Sequence, residues 1–281
     1  MARCVIAEAE AVLDKEFPVL DKGFVRLVDY LGGDARVVQA ARVSYGEGTK
    51  TCREDAGLID YLLRNRHTTP FEQVVLTYHI KLPLFVARQW LRHRTARVNE
   101  ISGRYSVMGD AFYLPDPGDI ALQSPDNKQG RAAEALDAEA AEAVRASLAA
   151  GQRRAYQDYT DLLAQGLARE LARINMPLSL YTELYWQIDL HNLFHFLELR
   201  LDPHAQREIR RYAGALLALA RKVAPRCCES FARHCLGGRT FSQDELAELR
   251  RRLGLGGAEA SPLSGKDLER FEEKLTENRG Y

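Results

Sequence analysis

The segment from Val86 to Ser106, VARQWLRHRTARVNEISGRYS, concentrates chemistry. Arg88, Arg92, Arg94, Arg97 and Arg104 stand among Gln89, His93, Asn99, Glu100 and Ser102. A guanidinium group chelates phosphate or carboxylate through two parallel N–H bonds. Gln and Asn each offer a donor and an acceptor, which suits the imide edge of a pyrimidine. Five arginines with one acid among them repel one another unless an anion joins them. The plainer alternative is a solvated basic face whose charges are met by acids elsewhere. On a helix, Arg88 and Arg92 share a face, and so do Gln89 and His93.

Other candidates divide into those that could act and those that read as packing. HNLFH places His191 and His195 four apart, the spacing of a zinc-protease helix. The second position is Asn192, so the general-base Glu of that motif is missing. These two His then read as ligand contacts or satisfied core groups, and no metal is expected. CCESFARHC brings Cys227, Cys228, His234 and Cys235 close together. Adjacent Cys side chains diverge on a helix and no second CxxC exists, so these read as small core residues. GLGG at Gly254 to Gly257 follows a helical pattern rather than a strand and reads as linker, not a dinucleotide loop. Ser102 has no His or Lys base placed beside it by sequence, so it reads as a hydrogen-bonding group rather than a nucleophile.

The gross numbers agree with a local anion site. The 281 residues carry a formal net charge of +0, with 46% hydrophobic and 28% charged residues. That is the composition of an ordinary globular protein, without the basic coat of a nucleic-acid binder. The start, MARCVIAEAE, lacks the apolar run of a signal peptide. No stretch approaches the roughly 18 apolar residues of a membrane span. Five cysteines, an odd number, then suggest free thiols in the cytoplasm. Neither a nucleic acid nor a membrane is expected as partner.

Elements must position these groups. GGDARVVQAARVS and EDAGLIDYLLRNR have helical spacing. TPFE predicts a helix start with Thr69 as N-cap and Pro70 first. VVLTYHIKL alternates, with Val74, Leu76, Tyr78 and Ile80 on one face of a strand. PLFVARQWLRH is a short helix beginning near Pro83, running into a loop over Asn99 to Gly103. Residues 115–130 form a polar loop, and 131–166 a pair of Ala- and Glu-rich helices. SLYTELYWQID is a second strand. DLHNLFHFLELR is a helix capped by Asp189, and DPHAQREIRRYAGALLALARKV one capped by Asp202. A linker and a charged terminal helix follow. Without a βαβ alternation, this mixture predicts α+β: a mixed sheet with flanking helices.

RHRTARVNEIS matches an RHR-x7-S signature: Arg92, His93, Arg94, seven residues, then Ser102. The blocks AARVSYG, HTTPFEQVVLTYHIKLPLFVARQW, NEISGRYS and ARINMPLSLYTELYWQIDLHNLFHFLELRLDPHAQREIR accompany it. Over roughly residues 20–235 the chain resembles the flavin-dependent thymidylate synthases, the ThyX family. The resemblance implies a homotetramer of α+β subunits with active sites at subunit interfaces. FAD would be held by side chains, in keeping with the missing glycine loop. It implies FAD contacts from His67, Thr69, Arg92, His93, Arg94, Glu100, Asp189, His191 and His195. His67 would lie beside the flavin, and Ser44 and Glu72 are weaker candidates there. Gln89, Arg92, Glu100, Ser102, Gly103, Arg104 and Arg173 would hold dUMP from different subunits. Arg200 would face the uracil and favour ionisation at N3. The implied reaction makes dTMP from dUMP with 5,10-methylenetetrahydrofolate and NADPH. Arg97 departs from the small Ser common at its place. Residues 1–235 would form the synthase domain, and 236–281 a helical extension with a linker.

Overall fold

A computed structural model describes residues 5–43, 52–125, 127–255 and 260–276. The chain forms two compact units, Met1–Cys228 and Glu229–Tyr281. No described helix is long and apolar enough to cross a membrane.

The first unit is α+β. In chain order it contains α1 (Ala7–Glu10), β1 (Glu16–Val19), β2 (Gly23–Leu31), α2 (Asp34–Arg42), α3 (Cys52–Arg64), β3 (Val75–Pro83), α4 (Leu84–Trp90) and β4 (Arg97–Glu100). There follow β5 (Ala121–Gln123), β6 (Arg131–Ala135), α5 (Ala138–Ala164), α6 (Arg169–Ala172), β7 (Tyr181–Asp189), α7 (Leu190–Arg200), α8 (Arg207–Val223) and α9 (Pro225–Phe231), which runs into the second unit. Five strands form one sheet in the order β1-β2-β3-β7-β4. Every described pairing in it is antiparallel, so the mixed sheet expected from sequence is corrected to an antiparallel one.

Alternation builds the sheet. Leu76, Tyr78, Ile80 and Leu82 of β3 are buried, as are Thr182, Leu184, Trp186 and Ile188 of β7. The predicted inward row on β3 is therefore present. In β2 the inward row is Val25, Leu27 and Tyr30. A bulge between Leu27 and Asp29 inserts Val28 and restores the phase. α7 and α8 lay their apolar residues over this face. Trp90, Trp186 and Phe196 pack with ring centroids 4.6 to 5.2 Å apart, and the Tyr212 hydroxyl donates to the Lys81 carbonyl at 2.7 Å. The other face is polar: His79 stacks on Tyr185 at 4.8 Å and meets Glu183 at 3.0 Å.

Several sequence expectations shift. TPFE forms only a short 3-10 turn, Phe71–Gln73, without a side-chain cap from Thr69. The backbone instead closes on Thr68, whose carbonyl accepts from Phe71 at 3.0 Å. The loop expected from Asn99 begins two residues later, at Ile101, because Asn99 and Glu100 belong to β4, paired with Tyr185 and Leu184. The polar loop of 115–130 contains β5. The helical pair becomes a strand, β6, and one long helix, α5. Arg131 and Ala135 pair with Gln123 and Ala121, so tertiary pairing overrides the helix propensity of Ala and Glu. Asp137 then caps α5 by accepting from Ala140 N at 2.8 Å. The helix predicted with Asp202 as its cap starts at Arg207 rather than Pro203. Asp202 Oδ1 accepts from His204 N at 2.8 Å and closes DPHA into a turn. Asp189 does cap α7, accepting from Asn192 N at 2.9 Å. The sequence reading passed over β1 and β2 altogether.

In the second unit, α10 (Gln243–Arg252) and α11 (Gly265–Thr276) meet through ion pairs. Glu248, fully buried, accepts from Arg251 and Arg252, and Arg252 also reaches Glu272 at 2.5 Å. Ser242 and Glu245 form a capping box at the start of α10.

Gly23 is required by close approach. A Cβ there would lie 2.0 Å from the Tyr212 hydroxyl and 2.7 Å from the carbonyls of Lys81 and Val19. Gly23→Ala should therefore break the Tyr212–Lys81 bond and lower stability by about 2–3 kcal/mol. Thermal unfolding checks this, and a Tm equal to the parent's would contradict it.

Candidate active site

The pairing of β3 with β7 sets two groups of candidate residues at opposite ends of β7. Val75 lies opposite Asp189, and Pro83 opposite Tyr181. β4 runs back along β7, with Arg97 opposite Gln187 and Glu100 opposite Leu184. Toward the Asp189 end come Asp189, His191 and His195 of α7, the residues just before Arg97, and the turn after Thr69. That turn packs on α7 through Phe71 and Phe194, 6.3 Å apart. Toward the Tyr181 end come Glu100, Ser102, Gly103 and Arg173. At about 3.4 Å per residue, Asp189 and Leu184 are separated by roughly 17 Å along the strand.

The Tyr181 end holds a cavity of about 510 Å³, lined by Glu100, Ser102, Gly103, Arg173, Met108 and Thr182 among others. Glu100 Oε1 accepts from the Thr182 hydroxyl at 2.6 Å. Thr182 is buried, so this bond fixes one carboxylate oxygen and leaves Oε2 available. Ser102 Oγ accepts from Arg104 N at 3.3 Å, which serves to shape the loop. A Cβ on Gly103 would stand 2.8 Å from Met108 Sδ and 3.1 Å from Arg173 Cδ. The absence of a side chain at Gly103 thus lets Arg173 cross directly over the loop. Arg104 is turned to Glu170 at 3.2 Å, with both groups more than half exposed. Such a pair is weak and exchangeable.

The other group centres on His93, just beyond α4. Its Nε2 accepts from Arg200 Nε at 3.0 Å, and its ring lies 5.9 Å from His195 and 4.7 Å from Phe196. Burial, then the Arg200 charge, then His195 lower the His93 pKa to about 4. His93 is therefore neutral at pH 7, with its proton on Nδ1. Burial also lowers the Arg200 pKa from its ordinary value, yet a guanidinium stays charged. Arg200 is thus oriented by a neutral acceptor and keeps its charge uncompensated. Gln89 donates from Nε2 to Gln206 Oε1.

Arg88, Arg92, Arg94 and Arg97 are exposed and have no carboxylate partner among the described residues. α4 ends at Trp90, so Arg88 and Arg92, and likewise Gln89 and His93, do not share one continuous helical face as expected. Asp189 spends both oxygens on Asn192, at 2.9 and 2.8 Å. His67 and Thr69 are exposed, and the His67 ring meets Tyr61 edge-on at 5.8 Å. Glu72 is exposed on the 3-10 turn. Ser44 lies outside the described residues. Cys227 and Cys228 are buried on α9, and no described cluster of His, Cys, Asp or Glu could hold a metal ion.

Three contributors were missed by sequence reasoning. Thr182 had a visible signal, a hydroxyl in the inward row of YTELYWQID. Gln206 and Glu170 had none, since their partners are distant in sequence.

Residues 26–226 match the profile of the thymidylate synthase complementing protein family. The chain belongs to that family. Residues 240–280 match the family's ThyX C-terminal domain. Among curated members, the flavin-dependent thymidylate synthase of Treponema denticola is 62% identical over 95% of this chain and 99% of its own length. That of Treponema pallidum is 58% identical over 98% and 89%. A solved structure of the UMP/dUMP methylase PolB from Streptomyces cacaoi, bound with 5-Br dUMP, superposes with TM-score 0.71 at 34% identity, covering 78% of this chain and 98% of that one. The α+β fold of the family is thus that of this chain.

Two outcomes test this geometry. Gly103→Ala should displace Arg173 and weaken anion binding about tenfold while the fold persists. Titration with a nucleoside monophosphate reads this, and undiminished affinity would contradict it. The depressed His93 pKa has a definite sign. The unfolded state takes up the proton near pH 6.5 and the folded state only near pH 4, so His93 lowers stability as pH falls through that window. His93→Gln should flatten the stability profile between pH 6.5 and 4, measured by urea unfolding.

Proposed function

We propose that this family member is a flavin-dependent thymidylate synthase. It converts dUMP to dTMP, taking the one-carbon unit from 5,10-methylenetetrahydrofolate and the hydride from FAD reduced by NADPH. The observation that carries this reading is the sorting along β7. A cavity with Glu100, Ser102, Gly103 and Arg173 stands toward one end, and a band of uncompensated guanidinium groups toward the other.

FAD fits the residues present. Arg92 and Arg94 are exposed cations without described partners, as a pyrophosphate needs. His191 and His195 offer ring nitrogens on one helix, and His67 and Thr69 flank them across the Phe71–Phe194 contact. His93 and Glu100 complete the set. Asp189 supports it by capping α7. When bound, the flavin supplies the reducing equivalents.

The chain's own groups do the rest. Arg173, the Ser102 hydroxyl and the Gly103 loop hold the nucleotide phosphate, with Arg104 recruited from its exposed pair and Arg92 adding charge. Glu100, pinned by Thr182, offers its free oxygen to a ribose hydroxyl. Gln89 reads the imide edge. Arg200 faces the pyrimidine and stabilises negative charge that develops on ionisation at N3. Its orientation by neutral His93 matters here, because a carboxylate partner would cancel the charge the ring is to feel. Preorganised cationic groups of this kind are the protein's main contribution when a cofactor carries the hydride.

We further propose a cytoplasmic homotetramer with sites shared between subunits. Exposure of His67, Thr69, Arg92, Arg94 and His195 supports this, because a single chain leaves them open. Residues 1–235 would form the synthase domain and 236–281 its helical extension.

Purified protein should show flavin absorption bands, and NADPH without oxygen should bleach them faster when dUMP is present. A colourless protein that takes up no added FAD overturns the reading. Arg200→Ala should cut turnover at least a hundredfold, on the scale of removing one charge-stabilising donor, while FAD is retained. Unchanged turnover removes Arg200 from the mechanism.

A further inference from the structure

A second cavity, of about 670 Å³, lies between the β5–β6 hairpin and the start of α8. Asp119, Arg131, His204, Gln206, Arg207 and Arg210 help line it. Among the described residues its lining charges are paired with one exception, though Glu208 Oε2 beside them is also buried without a donor. Asp119, almost fully buried, takes Arg207 at 2.7 Å on Oδ1 and Arg211 at 3.1 Å on Oδ2. Arg131 donates to the Asp119 carbonyl and to Glu208 Oε1, each at 2.5 Å. Arg210 is left over. No described carboxylate pairs with it, and its Nε is buried without an acceptor.

The buried Nε is shut off from solvent, but Arg210 lines the cavity and is only part-buried, so its remaining N–H groups are the ones that can meet a ligand oxygen. The surroundings favour an anion. α8 has 17 residues and begins in the cavity wall, and Gln206 gives it no side-chain cap, so its unmatched N–H groups add positive potential. Gln206 also joins this cavity to the nucleotide group, because its side chain accepts from Gln89.

We propose that Arg210 anchors a second oxyanion site, which takes the anionic tail of a co-substrate whose reacting end sits at the centre described above. This rests on the synthase reading. The shared chemistry is an oxyanion, from either the adenosine 2′-phosphate of NADPH or the distal carboxylates of a polyglutamyl folate. His204 and the exposed part of Arg207 flank it.

The test uses full-length, FAD-loaded enzyme with Arg210→Gln, Arg210→Lys and Ala132→Glu. The last places a carboxylate on the hairpin wall and leaves Arg210 intact, which covers the case that an Arg210 variant fails to fold. If the phosphate of NADPH is bound, Arg210→Gln and Ala132→Glu raise KM for NADPH about tenfold but leave KM for NADH unchanged. If folate carboxylates are bound, KM rises for the triglutamyl form and not for the monoglutamyl form. In either case kcat at saturation holds, and Arg210→Lys recovers most of the loss. No selective rise for either tail, or equal rises for NADH and NADPH and for both folates, overturns the proposal. A readout without turnover separates this from failure of the synthase reading. Millimolar pyrophosphate should raise the Tm of the parent more than that of Arg210→Gln, and equal shifts count against the site.

Discussion

The in-register pairing of β3 with β7 is the constraint on which the rest depends. Both strands are nine residues long and pair along their full length. β3 hands directly into α4 and β7 into α7. Because the two strands are antiparallel, the arginine-bearing segment and the histidine-bearing helix leave the sheet from opposite ends. α4 then crosses back under Trp186, and β4 returns along β7. A slip of β7 by one residue against β3 would turn Trp186 outward while Tyr78 stayed inward. The Glu100–Thr182 contact is set by a second pairing, that of β4 with β7.

Electrostatically the molecule separates charges that are matched from charges that are kept. The long-range ion pairs, such as those of Asp119 and Glu208, fasten the β5–β6 segment to α8. In the second unit, Arg252 joins Glu248 of its own helix α10 to Glu272 of α11. The site itself works the other way. Arg200 meets a neutral imidazole, and the arginines before β4 meet no described acid. A neutral chain can therefore present a concentrated positive region without any overall excess of charge.

Much of this was legible in sequence. The inward row of β3, the strand at Tyr181–Asp189 and the Asp189 cap follow from local rules that tertiary contacts reinforce. The crowded guanidinium groups read as a candidate anion site from residue types and spacing, and all but Arg104, which meets Glu170, lack a described carboxylate partner. What escaped depended on partners far along the chain. Residues 131–135 have helix-forming composition but pair with 121–123, and DPHA looks like a helix start until Asp202 closes it as a turn. The Gln89–Gln206 contact spans 117 positions. The role of Thr182 was half visible, since its polarity stood out but its partner did not.

β4 is four residues long, exposed throughout, and paired on one side only. It nonetheless supplies Arg97 and Glu100 and leads into Ser102 and Gly103. Short edge strands open by fraying, at a cost far below that of global unfolding. Peeling of β4 would dismantle the cavity while the core of Trp90, Trp186 and Phe196 stayed closed. Occupancy of the cavity and attachment of this edge are then one linked equilibrium, in which any ligand bound there would act as the clasp that the strand's own hydrogen bonds are too few to provide.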